Sequence, residues 1–205
     1  MRKRLAALEM LTADALTPRP SIKKEHFRNE ASMLWYRLKK GQDLKMEVAK
    51  PAKQVKIYTD GACLGNPGPG GYGVVLLHGT LRKELSGGFR LTTNNRMELM
   101  GAIVSLQSLK TACEVTLFTD SQYVVNAMSK GWARRWRQQG WMRNKKEKAV
   151  NPDLWEVLLN LCECHRVTFV WVRGHAGDPE NERCDELSKE AASARDLPPD
   201  KGYLP

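Results

Sequence analysis

The chain has 205 residues, 41% of them hydrophobic, which is room for one ordinary domain and an extension. No apolar run approaches the roughly 20 residues of a membrane span, and the start, with Glu9 and Asp14 and no small-residue cleavage site, argues against a secretory leader. The net charge of +10 is concentrated: residues 1–53 hold 13 basic and 6 acidic side chains, and residues 130–150 hold eight basic side chains against Glu147 alone.

In chain order, Phe27, Ala31, Leu34 and Leu38 recur at helical spacing between Ser21 and Gly41, which predicts a basic amphipathic helix over 22–40 followed by a linker. Met46, just before the first strand, is an alternative start for the domain that follows. Val55, Ile57 and Thr59 alternate with Lys56 and Tyr58 as in a strand. Val74–Leu77 predicts a second strand and Leu81–Phe89 a third, with Gly87-Gly88 as a bulge or kink. Met97, Leu99, Met100, Ile103, Val104 and Leu106 give a helix starting near Asn95 a broad apolar side. Val115, Leu117 and Thr119 form a fourth strand, and Asp120-Ser121 opens another helix. After the basic stretch, Asn151-Pro152-Asp153 starts a helix, Val167–Val172 reads as a fifth strand and 179–194 as a last helix. Three strands in succession, then strands alternating with helices, predict an α/β fold with a mixed sheet. The expected organisation is a basic extension over 1–53, a main domain over 54–195 with its basic stretch at 130–150, and a loose tail over 196–205.

Gly68–Gly73, GPGGYG, matches the G-x-G-x-x-G pattern of a dinucleotide-binding turn. That turn must open a helix, whose N-terminus receives the pyrophosphate. Here a strand follows, so the glycines are expected to form a wide hairpin turn. Cys63, Cys113, Cys162, Cys164 and Cys184 are odd in number and lack framework spacing, which predicts reduced thiols in the cytoplasm. Cys162-Glu163-Cys164-His165 lacks the second ligand pair of a structural zinc site.

IYTDGA and LFTDSQ are one phrase written twice, each ending a strand in Thr-Asp. If the two strands are parallel neighbours, Asp60 and Asp120 meet at the end of the sheet where α/β proteins bind ligands. Paired carboxylates repel unless a proton or cation intervenes, and oxygen ligands suit Mg²⁺. Each Asp also fits a helix or turn cap. Glu98 stands three residues after Asn95, the spacing of a capping box. Asp185 fits a solvent-facing helix position, and His175 lies on a glycine-flanked loop suited to proton transfer. Four carboxylates can hold two divalent ions for in-line displacement at phosphorus, with the basic stretch holding a polyanion. A solvated charged face is the plainer reading of that stretch taken alone.

YTDGACLGNPGPGGYG, TTNNRMELMGAI, FTDSQYVVNAM and VRGHAGDPENERCDELSKEAA resemble type 1 ribonuclease H in its bacterial form, over about residues 54–195. The resemblance implies a ribonuclease H-like fold: a five-stranded mixed sheet, strands 1–3 antiparallel, strands 4 and 5 parallel to strand 1, with helices on both faces. It implies an endonuclease that hydrolyses the RNA strand of RNA/DNA hybrids and leaves 5′-phosphate and 3′-hydroxyl ends. Two Mg²⁺ ions, with Mn²⁺ as an alternative, would be held by Asp60, Glu98, Asp120 and Asp185, with His175 aiding proton transfer or product release. The resemblance also places Asn66, Asn94 and Gln122 at the hybrid's minor groove, with Cys63 contributing through backbone. It assigns Thr93 and Asn151 to a grip on a DNA-strand phosphate, and KGWARRWRQQGWMRNKKEK to a basic protrusion. Trp136 and Trp141 are expected to anchor that protrusion, and Trp132 and Trp155 to border the DNA-strand channel. The expected protein is a cytoplasmic monomer with no membrane contact. The extension 1–53 matches no part of the family pattern, and its charge suggests an accessory nucleic-acid contact. A non-catalytic binding module and a DNA nuclease or integrase on the same fold are the alternatives. The complete acid set counts against the first, and the protrusion and 2′-hydroxyl-facing residues count against the second.

Overall fold

The computed structural model describes residues 53–204. In chain order these form β1 (Lys53–Cys63), β2 (Gly68–His78), β3 (Leu81–Thr92), α1 (Asn94–Gln107), β4 (Cys113–Thr119), α2 (Gln122–Ser129), α3 (Trp132–Gln138), α4 (Pro152–Cys164), β5 (Arg166–Trp171) and α5 (Pro179–Ala192). The helix expected over 22–40 lies outside the described residues.

The strands form one sheet in the order β3-β2-β1-β4-β5. β1 runs antiparallel to β2 and parallel to β4, β2 is antiparallel to β3, and β4 is parallel to β5. This is the expected mixed sheet. Strand alternation sends side chains to two faces. Val55, Ile57, Val74, Leu76, Val115 and Leu117 point into a core filled by Leu99, Ile103 and Leu106 of α1 and Leu158 of α4. Val75, with Tyr58 and Leu77 beside it, faces Cys184 and Leu187 of α5. Helices therefore cover both faces. Each fully buried aliphatic side chain contributes about 1.5–3 kcal/mol relative to an exposed one.

The GPGGYG stretch is not the hairpin turn. Gly68–Gly73 is the first half of β2, with Gly70–Gly73 paired to both β1 and β3 and Gly68 to Thr92, and the connection is made by Leu64–Pro67. The glycines serve packing: a Cβ on Gly71 would strike the Ser188 carbonyl oxygen, and one on Gly73 the Cys184 carbonyl oxygen. Bare backbone here lets α5 lie directly on the sheet. The expected bulge at Gly87-Gly88 is also displaced. Those residues pair regularly with Tyr72 and Gly71, and the register shift falls between Gly68 and Gly70, opposite Thr92 and Phe89.

The tail is not loose as far as Tyr203. The Arg90 amide donates to the Pro198 carbonyl at 3.0 Å. Asp200 accepts hydrogen bonds from the Thr92 hydroxyl (2.8 Å) and from the Arg96 guanidinium. Around the protrusion, Trp132, Trp136 and Trp141 are all partly buried against the main core, and the Trp136 ring meets Trp155 edge-on at 6.0 Å.

Candidate active site

The parallel register of β1 and β4 pairs Thr59 with Thr119. Asp60 and Asp120 therefore leave adjacent strands at the same end of the sheet. Below them the Tyr58 and Phe118 rings stack with centroids 4.6 Å apart, consistent with the neighbouring register. Asp60 is 6% exposed, and its Oδ1 accepts from the Gly61 amide at 2.8 Å. Asp120 is held from behind: the Trp171 indole N–H donates to its carbonyl at 3.0 Å, and the Val172 amide donates to the Thr119 carbonyl at 3.1 Å.

Glu98 comes from the second turn of α1 and is 6% exposed. The expected capping box does not form. Thr93 is the N-cap, with extended backbone, and Glu98 Oε1 instead accepts from the Asn94 side-chain amide at 3.3 Å. Glu98 Oε2 is buried with no partner. One carboxylate oxygen each from Asp60, Glu98 and Asp120 lie within 4.8 Å of one another.

Burial, the Asp120 charge and, more weakly, the Asp185 charge push the Asp60 carboxyl up to about 7. Burial and the charges of Asp60 and Asp120 raise Glu98 well above the ordinary carboxylate range. Asp120 is raised as well, chiefly by burial. Three acids that resist ionising together, one with an orphaned buried oxygen, fit a hard divalent cation that would supply the missing positive charge.

Asp185, on α5, stands at the margin of this cluster. Its Oδ2 accepts from Lys189 Nζ at 2.7 Å and lies 4.0 Å from His175 Nδ1. His175 has a left-handed backbone (φ 52°), and the adjacent Gly174 is so close to Asp120 that a Cβ there would meet its Oδ2.

The expected substrate residues divide. Asn66 and Asn94 come together: the Asn66 side-chain oxygen accepts from the Asn94 amide at 3.2 Å. Gln122 is exposed at the start of α2. The half-buried Cys63 thiol contacts the Gly68 and Thr92 carbonyls, which ties the β1–β2 connection to the end of β3. Trp132 is half-buried with Lys130 Nζ 5.1 Å from its ring centroid. Trp155 is misplaced in the sequence reading. It is fully buried, and its indole N–H donates to the Tyr123 hydroxyl at 3.0 Å, so no face of it is left to border a channel.

Asn151 is 8% exposed with a left-handed backbone (φ 58°). Its side-chain oxygen accepts from Arg96 at 3.4 Å. The sequence reading passed over Arg96, Asp153, Asp200 and Trp171. A signal for Arg96 was available: it falls on the same helical face as Leu99, Ile103 and Leu106, the spacing of a buried position. No cue marked its partners, which come from distant segments. Among the described residues, Cys162, Cys164 and His165 do not form a ligand cluster. A cavity of about 450 Å³ beside Arg134, Cys162 and His165 contains none of the acids above.

Comparison with known proteins gives one consistent result. The family model described as RNase H matches residues 52–193. The ribonuclease H of Syntrophus aciditrophicus is 71% identical over 153 residues, covering 75% of this chain and 88% of that protein. The ribonuclease HI of a Synechocystis strain is 57% identical over 157 residues, covering 76% and 98%. Among solved structures, LC9-RNase H1, a type 1 enzyme with the type 2 active-site motif, superposes with a TM-score of 0.65 at 32% identity, over 75% of this chain and 77% of that one. LC11-RNase H1, solved in complex with an RNA/DNA hybrid, has a TM-score of 0.52 at 28% identity, over 67% and 96%.

Proposed function

The chain belongs to the ribonuclease H family and is a hydrolytic nuclease acting on RNA/DNA hybrids; we propose that it cuts the RNA strand with two Mg²⁺ ions held by Asp60, Glu98, Asp120 and Asp185. Mn²⁺ would fit the same oxygen set. The observation that carries this reading is the convergence of three carboxylates within 4.8 Å, with an unpartnered Glu98 oxygen among them. Ions held by these acids would supply the charge that activates a water and stabilises the leaving 3′-oxygen, the chemistry that 5′-phosphate and 3′-hydroxyl ends require.

The chain's own residues supply orientation and proton handling. The Gly61 amide orients the Asp60 carboxylate and the Trp171 indole holds the Asp120 main chain, which preorganises this end of the sheet. His175, 4.0 Å from Asp185, is placed to take up or deliver a proton at Nδ1 as product leaves. Asn66, Asn94 and Gln122 read the minor groove, where the 2′-hydroxyl marks the RNA strand, and Cys63 holds the backbone beside them. Thr93 and Asn151 grip a phosphate of the DNA strand. Trp132 and the cations of 130–150 follow that strand away from the site. The extension 1–53 adds a second, salt-sensitive contact, and the enzyme works as a cytoplasmic monomer. Deleting residues 1–45 should then weaken hybrid binding and flatten its dependence on salt; an unchanged slope would remove the extension from this scheme.

The deciding experiment is cleavage of an end-labelled hybrid with Mg²⁺ beside RNA-duplex and DNA-duplex controls. Only the hybrid should be cut. Asp60→Asn should lower kcat by about a thousand-fold or more while hybrid affinity stays near wild type. Normal cutting by that variant would overturn the site.

A further inference from the structure

Arg96 uses its full hydrogen-bonding capacity. Its guanidinium has five N–H donors, and all five are used. Nε and Nη2 donate to the two Asp200 oxygens at 2.7 and 3.0 Å. Nη1 and Nη2 donate to the two Asp153 oxygens at 3.0 and 2.8 Å. The remaining Nη1 hydrogen goes to Asn151 Oδ1 at 3.4 Å. With side chains only 4% and 6% exposed, Arg96 and Asp200 form a buried bidentate pair.

This saturation fixes the Asn151 amide. Arg is a donor only, so the atom facing it must be the amide oxygen, and the NH₂ must face the other way. That NH₂ is buried and has no acceptor. The neighbouring Tyr123 hydroxyl accepts from Trp155 and donates to the Val150 carbonyl, so it offers the Asn151 NH₂ a single lone pair at most, and at least one of the two N–H bonds is left over. Asn151 is also an N-cap residue that makes no capping bond, although Asn is among the best cap formers. A cap would use the side-chain oxygen, which Arg96 holds, and the buried NH₂ keeps a donor for an acceptor from outside.

We propose that Asp200, in the C-terminal segment, is a positioning residue for the DNA-strand phosphate grip, acting on Asn151 through Arg96 and on Thr93 through its neighbour Thr92. The proposal rests on the reading of Thr93 and Asn151 as that grip. Asp200 reaches both arms at once. One of its oxygens accepts from the Thr92 hydroxyl, one residue before Thr93, and both accept from Arg96. The Gly202 amide completes its shell at 3.1 Å. The segment after α5 thereby sets where a phosphate oxygen on the DNA strand finds its donor, about 50 residues away from Asn151 in sequence.

The test uses the full-length protein and hybrids whose DNA strand carries a single neutral methylphosphonate, walked along the positions flanking one cleavage site. For wild type, one position should raise KM. For Asn151→Ala that sensitivity should vanish. Asp200→Ala should raise KM on the unmodified hybrid about five-fold, the loss of roughly one hydrogen bond, with kcat near wild type, and should also lose the sensitivity. On a background that lacks both arms, Thr93→Ala with Asn151→Ala, adding Asp200→Ala should raise KM no further. Asp200→Asn, which keeps the size and some hydrogen bonding, serves as the milder variant, and both are assayed well below their thermal midpoints. A merely structural Asp200 would lower the midpoint yet leave the methylphosphonate response intact, and that result overturns the proposal. If wild type shows no sensitive position, the grip itself fails and the proposal falls with it.

Discussion

Gly61 and Glu98 touch backbone to backbone: a Cβ added at Gly61 would collide with the Glu98 amide nitrogen. The residue after the central aspartate therefore sets how closely α1, and the acid it carries, approaches β1. Gly61→Ala should push Glu98 away from Asp60. We expect kcat to fall at least about ten-fold and the apparent Mg²⁺ requirement to rise, with a stability loss of roughly 1–3 kcal/mol. A Mg²⁺ titration of activity beside a urea unfolding curve measures both.

The acids that make the site also burden the metal-free fold. Asp60 has an ordinary value of 3.8 and is pushed up to about 7. A raised folded-state value means that the native protein holds its proton more tightly than the unfolded chain. The favourable contribution is complete below the unfolded value and is lost as pH rises through about 7. Chelated protein should therefore lose stability from this group between about pH 4 and 7. Asp60→Asn should stabilise the chelated protein near neutral pH by roughly 1–3 kcal/mol and remove that part of the slope, and Mg²⁺ should raise the wild-type midpoint but not the variant's. Thermal unfolding in chelator across pH reads all three.

Asp200 has the opposite sign. Burial alone would lift its carboxyl, but the hydrogen bonds from Arg96 and Thr92 outweigh burial and hold it below the ordinary range. Its contribution is present above the unfolded value and is lost on acidification through the folded one. Arg96→Met would leave the buried Asp200 carboxylate without its cation, and we expect a cost of about 3–5 kcal/mol at neutral pH. The deficit relative to wild type should shrink as Asp200 becomes protonated in acid. Denaturant curves of both proteins at neutral and acidic pH test this.

Trp171 is 45% exposed, yet its indole N–H holds the Asp120 carbonyl. Trp171→Phe keeps an aromatic surface and removes one hydrogen bond. We expect kcat to fall about two- to ten-fold with little change in hybrid affinity, measured by steady-state kinetics and equilibrium binding. Equal kcat values would show that β4 holds Asp120 unaided.

What the sequence made legible were features written locally. Strand alternation and the duplicated Thr-Asp phrase located β1, β4 and the meeting of Asp60 with Asp120, because parallel neighbours carry matched residues to the same edge. The GPGGYG stretch misled because glycine signals two different needs, a turn or a close approach. Only the position of α5, more than a hundred residues downstream, shows that Gly71 and Gly73 answer the second. Trp155 misled for a related reason: its neighbours in the chain do not reveal that Tyr123 and Trp136 close over it. The Arg96–Asp153–Asp200 assembly joins three segments with no common local pattern, and ion pairing across such distances leaves no periodic trace.

The bond between the Arg90 amide and the Pro198 carbonyl has a consequence for how the molecule behaves in company. β3 is outermost in the sheet, and an outermost strand offers its unpaired amides as a template on which a foreign strand can dock. Leu81 and Leu91 are exposed near its two ends. Arg82, Lys83 and Arg90 discourage such docking by charge, while the tail covers the stretch where the register shifts. Proteolysis beyond Ala194 would uncover that stretch, so the clipped enzyme should self-associate at concentrations where the intact chain stays dispersed.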